Sequence, residues 1–349
     1  MNMKTIFVVD DNPVNLATAK QALSGSYRVL TIPSAERMFS LFSKITPDLI
    51  LLDIEMPEMD GFAALTKLMA NEQTTRIPVM FVTASRDSEI EAKGLELGAM
   101  DFISKPFSTP VLLNRIKNHL HIGEVVKKRT ERIEQLQNGI VFTFADIVES
   151  RDKVTGGHIA RTSQYIKILM NAMMNNGVYL EELVDWDLDM VIASAHLHDV
   201  GKIAVSDLIL NKQGKLTSEE FSEMKRHTTE GEKMIDQMIA QTGDALFLRH
   251  AKLFAGSHHE KWDGKGYPRC LQQEDIPLQG RIMSIADVYD ALVSERPYKP
   301  AFTCEQAEEI IQKDSGTAFD PLIVDVFNDV KEEFADIAKT NNDKQRGVE

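Results

Sequence analysis

The sequence predicts a doubly wound α/β domain with a five-stranded parallel sheet, joined by a long helix to an all-helical second domain. Three observations carry this. Short apolar runs alternate with helix-period segments over residues 1–120, a charged stretch with no proline after Pro110 follows to about residue 150, and strand signals almost vanish beyond it. A chain of 349 residues suffices for two domains with cores of their own, at roughly 100–200 residues each.

In chain order, the expected strands are Ile6-Phe7-Val8-Val9, Arg28-Val29-Leu30-Thr31-Ile32, Leu49-Ile50-Leu51-Leu52, Val79-Met80-Phe81-Val82 and Phe102-Ile103. Apolar runs without polar alternation suit parallel strands covered on both faces. Segments such as 61–70 and 88–97 have helical spacing, so the order is a βαβ series. Next, Ile122, Val126, Arg129, Ile133, Leu136 and Ile140 follow a 4-3-4-3-4 spacing with one Arg in the seam. That pattern predicts a helix joining the domains and a short, imperfect seam for a homodimer. Beyond residue 150 the pattern is helical, with His- and Asp-rich junctions, and the polar stretch from Lys339 reads as a fraying tail. The expected divisions are 1–120, a linker helix over 121–149, a second domain over 150–338, and the tail 339–349.

Composition narrows the function classes. Apolar residues make up 43% and charged residues 26%, ordinary for a globular protein, and the net charge is −14. No apolar run approaches the roughly 18–20 residues of a membrane span. Met1-Asn2-Met3-Lys4 leads directly into the first strand without a signal-peptide layout. Two cysteines, Cys270 and Cys304, cannot build a disulfide framework, so a cytoplasmic protein is expected. Residues 150–349 carry 23 Lys+Arg against 34 Asp+Glu and show no helix-turn-helix candidate, which excludes a generic DNA or RNA binder.

In the first domain Asp10 and Asp11 follow the first strand, Asp53 the third, Thr83 the fourth and Lys105 the fifth. The C-terminal ends of strands in a doubly wound sheet converge on one crevice. Three acids there repel one another unless a divalent cation such as Mg²⁺ sits between them. Lys105 can neutralise a phosphoryl oxygen and the Thr83 hydroxyl can hydrogen-bond it. These positions resemble a response-regulator receiver domain over residues 1–120. The resemblance implies that Asp53 is the phosphoryl acceptor, that Asp11, Asp53 and the Glu55 carbonyl hold Mg²⁺, and that Asp10 assists through water. It further implies that Thr83 and Lys105 sense the phosphoryl group and that Phe102 is the switch aromatic; for Phe102, plain core packing is the alternative.

In the second domain His198-Asp199 occurs in an apolar helical context before Gly201-Lys202, accompanied by His158, His227, His258-His259 and Asp287. Imidazole plus carboxylate suits Zn²⁺, Fe or Mn²⁺, and seven such side chains exceed what one ion takes. Two ions sharing a carboxylate would use them. His119, His121, His196 and His250 are read as ordinary histidines. Two divalent ions, Asp199, Asp287 and a hydroxide leave a local charge of about +1, so an acidic domain can hold a cationic pocket for phosphate. Lys202 is placed to stabilise phosphoryl charge. Then comes His258-His259-Glu260-Lys261-Trp262-Asp263-Gly264-Lys265-Gly266-Tyr267-Pro268, a tight loop beside the paired histidines.

With the segments 285–292, Arg296-Pro297-Tyr298-Lys299 and 316–321, residues 141–329 closely resemble the HD-GYP family, a subset of the HD metal-dependent phosphohydrolases. The resemblance implies hydrolysis of cyclic di-GMP at a metal centre, with His158, His198, Asp199, His227, His258, His259 and Asp287 as ligands and Asp199 bridging. It also implies that Lys202, Arg296 and Lys299 contact substrate phosphates, that Tyr267 lines the pocket mouth, and that the Gly-Tyr-Pro loop meets partners such as GGDEF-type proteins. Members with three ions carry a Glu where this chain has Val154, so two ions are expected, iron or manganese, with pGpG and/or GMP as product.

Together these features point to a two-component output enzyme controlled through Asp53 by a cognate sensor histidine kinase. The competing readings are a non-catalytic cyclic di-GMP receptor or protein-interaction module, and a phosphohydrolase of another cyclic dinucleotide. The complete ligand set weighs against the first, and Arg296 with Lys299 favours a substrate with two phosphates.

Overall fold

A computed structural model describes residues 3–71, 73–84, 87–151, 157–294 and 301–345. The chain divides into two compact units, Met1–Ile133 and Glu134–Glu349. The first holds strands β1 (Thr5–Val9), β2 (Arg28–Ile32), β3 (Leu49–Asp53), β4 (Val79–Thr83) and β5 (Asp101–Ser104), with helices α1 (Pro13–Leu23), α2 (Ala35–Leu41), α3 (Gly61–Met69) and α4 (Ser88–Glu96). The sheet order is β2-β1-β3-β4-β5, and every pairing is parallel. This is the five-stranded, doubly wound sheet that the apolar runs predict.

Strand alternation explains those runs. Phe7, Val9, Ile50, Leu52, Val79, Phe81 and Phe102 enter one core, while Ile6, Val8, Leu49, Leu51, Met80, Val82 and Ile103 enter the other. Successive side chains point to opposite faces, so a sheet covered on both sides needs apolar residues at every position. Asn12 caps α1, with Pro13 at its first position, and Asp60 caps α3 by accepting from the Ala63 N–H. The chain therefore turns sharply at the strand ends and leaves Asp10, Asp53 and Thr83 there.

Helix α5 (Thr109–Ser150) contains the boundary between the units. The second unit continues with α6 (His158–Asn176), α7 (Leu180–Leu183), α8 (Leu188–Ala195), α9 (Asp207–Leu210), α10 (Ser218–Thr242), α11 (Leu246–Ser257), α12 (Leu278–Val293), α13 (Cys304–Lys313) and α14 (Pro321–Gln345). Helix α14 is helical past Lys339, where the composition suggested fraying.

Two apolar clusters build this unit. In one, Tyr165 of α6 stacks on Phe334 of α14 at 4.5 Å and meets Tyr289 of α12 edge-on at 5.3 Å. In the other, Leu197, Val200, Ile235, Leu248, Ala251 and Ala255 join the turn after α8 to α10 and α11. The first cluster fixes the helices that carry His158 and Asp287. The second fixes the segments that carry His198-Asp199, His227 and His258-His259.

Candidate metal centre and phosphoacceptor pocket

In the first unit Lys105 Nζ lies 2.7 Å from Asp10 Oδ2 and 2.9 Å from Asp53 Oδ1. The other Asp10 oxygen accepts from the Asn12 N–H at 2.9 Å and the Asn15 amide at 3.0 Å. Oxygens of Asp10, Asp11 and Asp53 all lie within 4.8 Å of one another, a donor set of the hard kind that Mg²⁺ takes. Asp11, Asn15, Asp53, Glu55 and Lys105 line a cleft of about 470 Å³. Burial raises the Asp53 carboxyl above its ordinary range, outweighing the pull of Lys105 in the other direction. Burial also opposes the charge on Lys105, but Asp10 and Asp53 together hold that ammonium above its ordinary value. Thr83 is buried at the end of β4. Phe102 is buried as well, its ring 5.2 Å from that of Phe81 and directly over Gly94.

In the second unit, the seven expected side chains converge. His158 opens α6, His198 and Asp199 follow α8, His227 lies within α10, His258 and His259 follow α11, and Asp287 lies within α12. They form two triads with closely grouped ligand atoms: His158, His198 and Asp287, and His227, His258 and His259. Asp199 stands between the triads. Its Oδ2 is 3.3 Å from His198 Nε2, and its Oδ1 is 3.4 Å from His227 Nε2 and 3.7 Å from His258 Nε2. A 3₁₀ turn, Val200–Ala204, sets this position, and Gly201 makes it possible. A Cβ on Gly201 would sit 1.9 Å from the His227 carbonyl oxygen, so any side chain would push Asp199 away from α10.

The ring orientations suit metal binding. The Nδ1 atoms of His198, His227 and His258 lie 2.9, 2.7 and 2.9 Å from the carbonyls of Ala195, Met224 and Phe254. A carbonyl only accepts, so each Nδ1 donates and each Nε2 turns its lone pair toward the cluster. The Nε2 atoms of His227 and His258 face each other at 3.3 Å. His198 Nε2 and Asp199 Oδ1 are buried with no hydrogen-bond partner among the described residues. Lone pairs converging in a buried space are costly unless a cation joins them, so this donor set fits divalent metal.

The two triads differ electrostatically. Burial, reinforced by neighbouring imidazoles, pushes His258 down to about 3 and His259 well below its ordinary value. Burial also opposes charge on His158, but Asp290, Asp287 and Glu149 together raise it to about 9. Asp199 is held well below the carboxylate range, against burial, by Lys202 and the surrounding histidines. Lys202 Nζ is 2.8 Å from Asp199 Oδ2. The Tyr267 ring lies 4.8 Å from that of His259. Val154, Arg296 and Lys299 lie outside the described residues.

The four histidines set aside do other work or face solvent. His119 pairs with Asp101, His196 with Ser163 and His250 with Gln279, and His121 is exposed.

Asp290, Arg161 and Glu260 have roles that the sequence reading did not assign. Asp290 is fully buried and takes His158 Nδ1 at 2.7 Å together with Arg161 Nε at 2.6 Å and Nη2 at 2.8 Å. Asp290 follows Asp287 by one helical turn, and Arg161 follows His158 likewise, so same-face spacing was the available signal. Glu260 accepts from the Arg269 and Leu271 N–H groups at 2.7 and 3.1 Å and thereby closes the Gly-Tyr-Pro loop. Gly266 permits that closure, since a Cβ there would lie 2.3 Å from the Lys261 nitrogen.

Comparison with known proteins identifies both domains. A response regulator receiver domain matches residues 6–117, and an HD domain matches residues 143–323. A Vibrio cholerae serotype O1 protein named probable cyclic di-GMP phosphodiesterase is 37% identical, over 99% of this chain and 81% of that one. The chain belongs to the receiver–HD family of response regulators. A second member, the cyclic di-GMP phosphodiesterase response regulator RpfG of Xanthomonas campestris pv. campestris, is 35% identical over 80% of this chain and 74% of its own. A third, a Thermotoga maritima protein named cyclic di-GMP phosphodiesterase, is 31% identical over 97% of this chain and 94% of its own. With an HD domain and clustered ligands, this receiver–HD protein is a metal-dependent hydrolase. No described helix is long and apolar enough to cross a membrane.

Proposed function

We propose that this receiver–HD protein hydrolyses cyclic di-GMP to pGpG and/or GMP at a dinuclear centre under the control of Asp53 phosphorylation. The observation that carries this reading is the Asp199 carboxylate, with one oxygen toward His198 and the other toward His227 and His258. A carboxylate so placed between two triads suits two ions, with His158, His198 and Asp287 on one side and His227, His258 and His259 on the other. The relatives of Vibrio, Xanthomonas and Thermotoga named for cyclic di-GMP supply the substrate.

Bound divalent ions, iron or manganese, would lower the pKa of a water and polarise a phosphodiester for in-line attack. The chain's own residues supply the rest. Nδ1 donation to backbone carbonyls holds three rings in the ligating tautomer. The Lys202 ammonium, next to Asp199, is placed to stabilise charge developing on a phosphoryl oxygen. Tyr267 walls the histidine side of the site, and Arg296 and Lys299 are assigned to substrate phosphates.

In the receiver, Asp53 accepts the phosphoryl group from a cognate sensor histidine kinase. Mg²⁺ is held by Asp11, Asp53 and the Glu55 carbonyl, with Asp10 assisting through water. Thr83, Lys105 and Phe102 carry the switch. The domains run over 1–120 and 150–338, with the linker helix 121–149 between them and the tail 339–349 after. The protein acts in the cytoplasm as a homodimer through α5, and its Gly-Tyr-Pro loop is open to GGDEF-type partners. Extended by one heptad, the seam places Val126, Ile133, Ile140 and Ile147 at equivalent positions, each more than half exposed, with Leu136 in the alternate set.

The test is cyclic di-GMP turnover by protein prepared without oxygen and loaded with Fe²⁺ or Mn²⁺, with and without beryllofluoride. Appearance of pGpG or GMP supports the reading, and the ratio between the two conditions gives the sign of regulation. Absence of turnover in protein holding two ions in the second domain would overturn it.

A further inference from the structure

Lys202 sits in a turn that is clamped from outside the motif. Side chains three positions apart eclipse in a 3₁₀ helix, so the turn Val200–Ala204 stacks Lys202 over Asp199. The Lys202 N–H donates to the Asp199 carbonyl at 2.9 Å, and the ammonium reaches Asp199 Oδ2 at 2.8 Å. A 3₁₀ turn has poorer hydrogen-bond geometry than an α-helix, so its register leans on contacts from its surroundings. Near its start, Gly201 lies close against the His227 carbonyl.

Arg151, the residue after α5, holds the other end. Its Nη1 donates to the carbonyls of Lys202 at 3.3 Å and Ile203 at 3.1 Å. Its Nη2 donates to the Val205 carbonyl at 3.1 Å and to Asp207 Oδ1 at 2.8 Å. The Asn211 amide donates to the Arg151 carbonyl at 2.9 Å, so side chain and backbone are both tied to segment 202–211. None of these contacts is to a metal-ligating side chain. A planar guanidinium presents its donors in a rigid fork, which suits it to fixing a backbone segment at several points together.

We propose that Arg151 is a positioning residue for Lys202, an inference that rests on the hydrolytic reading above. By holding the end of the turn, it keeps the ammonium over the Asp199 carboxylate, where a phosphoryl oxygen gains charge. Without the clamp the turn loosens at Lys202 itself, whose carbonyl Arg151 binds directly. The metal ligands keep their own anchors.

The test is a double-mutant cycle on the full-length, Mn²⁺-loaded protein with cyclic di-GMP as substrate. It compares the parent, Arg151→Gln, Lys202→Ala and the double variant. Arg151→Gln should lower kcat by about tenfold with KM and bound metal unchanged, since a shift of about 1 Å can cost about 10²-fold. In the Lys202→Ala background the same change should cost less than about twofold, because its effect runs through that ammonium. A merely structural role would give equal losses in both backgrounds, and that result overturns the proposal. Parental kcat in Arg151→Gln overturns it too, as does a loss of bound metal. Equal losses in an active parent leave the hydrolytic reading intact, whereas a parent that holds two ions in the second domain without turning over cyclic di-GMP overturns both. If the glutamine variant does not fold, Arg151→Lys takes its place in the cycle. Its single ammonium keeps the charge but cannot span the same acceptors, and the same outcomes decide.

Discussion

The two units gather carboxylates by opposite means. In the receiver, Asp10 and Asp53 are held together by an internal cation, Lys105, at 2.7 and 2.9 Å, and the acid cluster opens into a cleft. In the HD unit, Asp199 is surrounded by imidazole nitrogens whose lone pairs point inward, and Lys202 takes only one of its oxygens. Lys105 offsets only part of the charge of Asp10, Asp11 and Asp53, which leaves a net negative cleft suited to a divalent ion. The HD cluster converges donors without a matching charge, and resident ions would complete it.

Removing the shared carboxylate tests that contrast most severely. Asp199→Ala should lower turnover by about 10³-fold or more, beyond the 10–100-fold typical of an outer-shell partner, and should release metal. Receiver phosphorylation should proceed at the parental rate; preserved turnover would mean that Asp199 does not bridge. Lys202→Ala should lower kcat by about 10²-fold while metal content stays constant, the signature of a group acting on developing charge. A fall in metal content instead would reassign Lys202 to building the site.

Asp290→Asn should weaken metal binding by about 10–100-fold, because the His158 ring loses its anchor. Equilibrium dialysis against a metal buffer measures this, and unchanged affinity would show that Arg161 and packing suffice to orient the ring. On the receiver side, Asp53→Asn should leave HD metal content untouched and abolish any response of turnover to a phosphodonor. A persisting response would place the acceptor elsewhere.

The smallest expected effect separates the two triads by pH. His158, raised to about 9, is protonated at neutral pH in the metal-free chain, so an entering ion must displace a proton. Affinity at that subsite should rise roughly tenfold per pH unit as pH increases toward 9. His258, pushed down to about 3, is already neutral, so its triad should bind with little pH dependence between 6 and 8. Two titration steps with different pH slopes would confirm the inequality; identical slopes would remove it.

Legibility differed between the units for the same physical reason. Receiver strands are read from uninterrupted apolar runs because both faces of the sheet are covered, and the strand ends then place Asp10, Asp53, Thr83 and Lys105 without further information. The HD motif residues stand out by type and adjacency, as in His198-Asp199 and His258-His259, and the fold brings all seven together. The family resemblance implied that Asp199 bridges, but the division of the other six into two triads could not be read from the chain, because it depends on how α6, α10, α11 and α12 pack.

What the sequence by itself determined is the fold class, the order of the two units and the chemistry of the donors, since these follow from local periodicity and residue type. The tertiary structure alone decided which nitrogen of His198, His227 and His258 faces inward, and that Asp290 anchors His158 across 132 positions of chain. Such relations arise where helices distant in sequence meet, and the periodicity of a single helix holds no information about its neighbour's register.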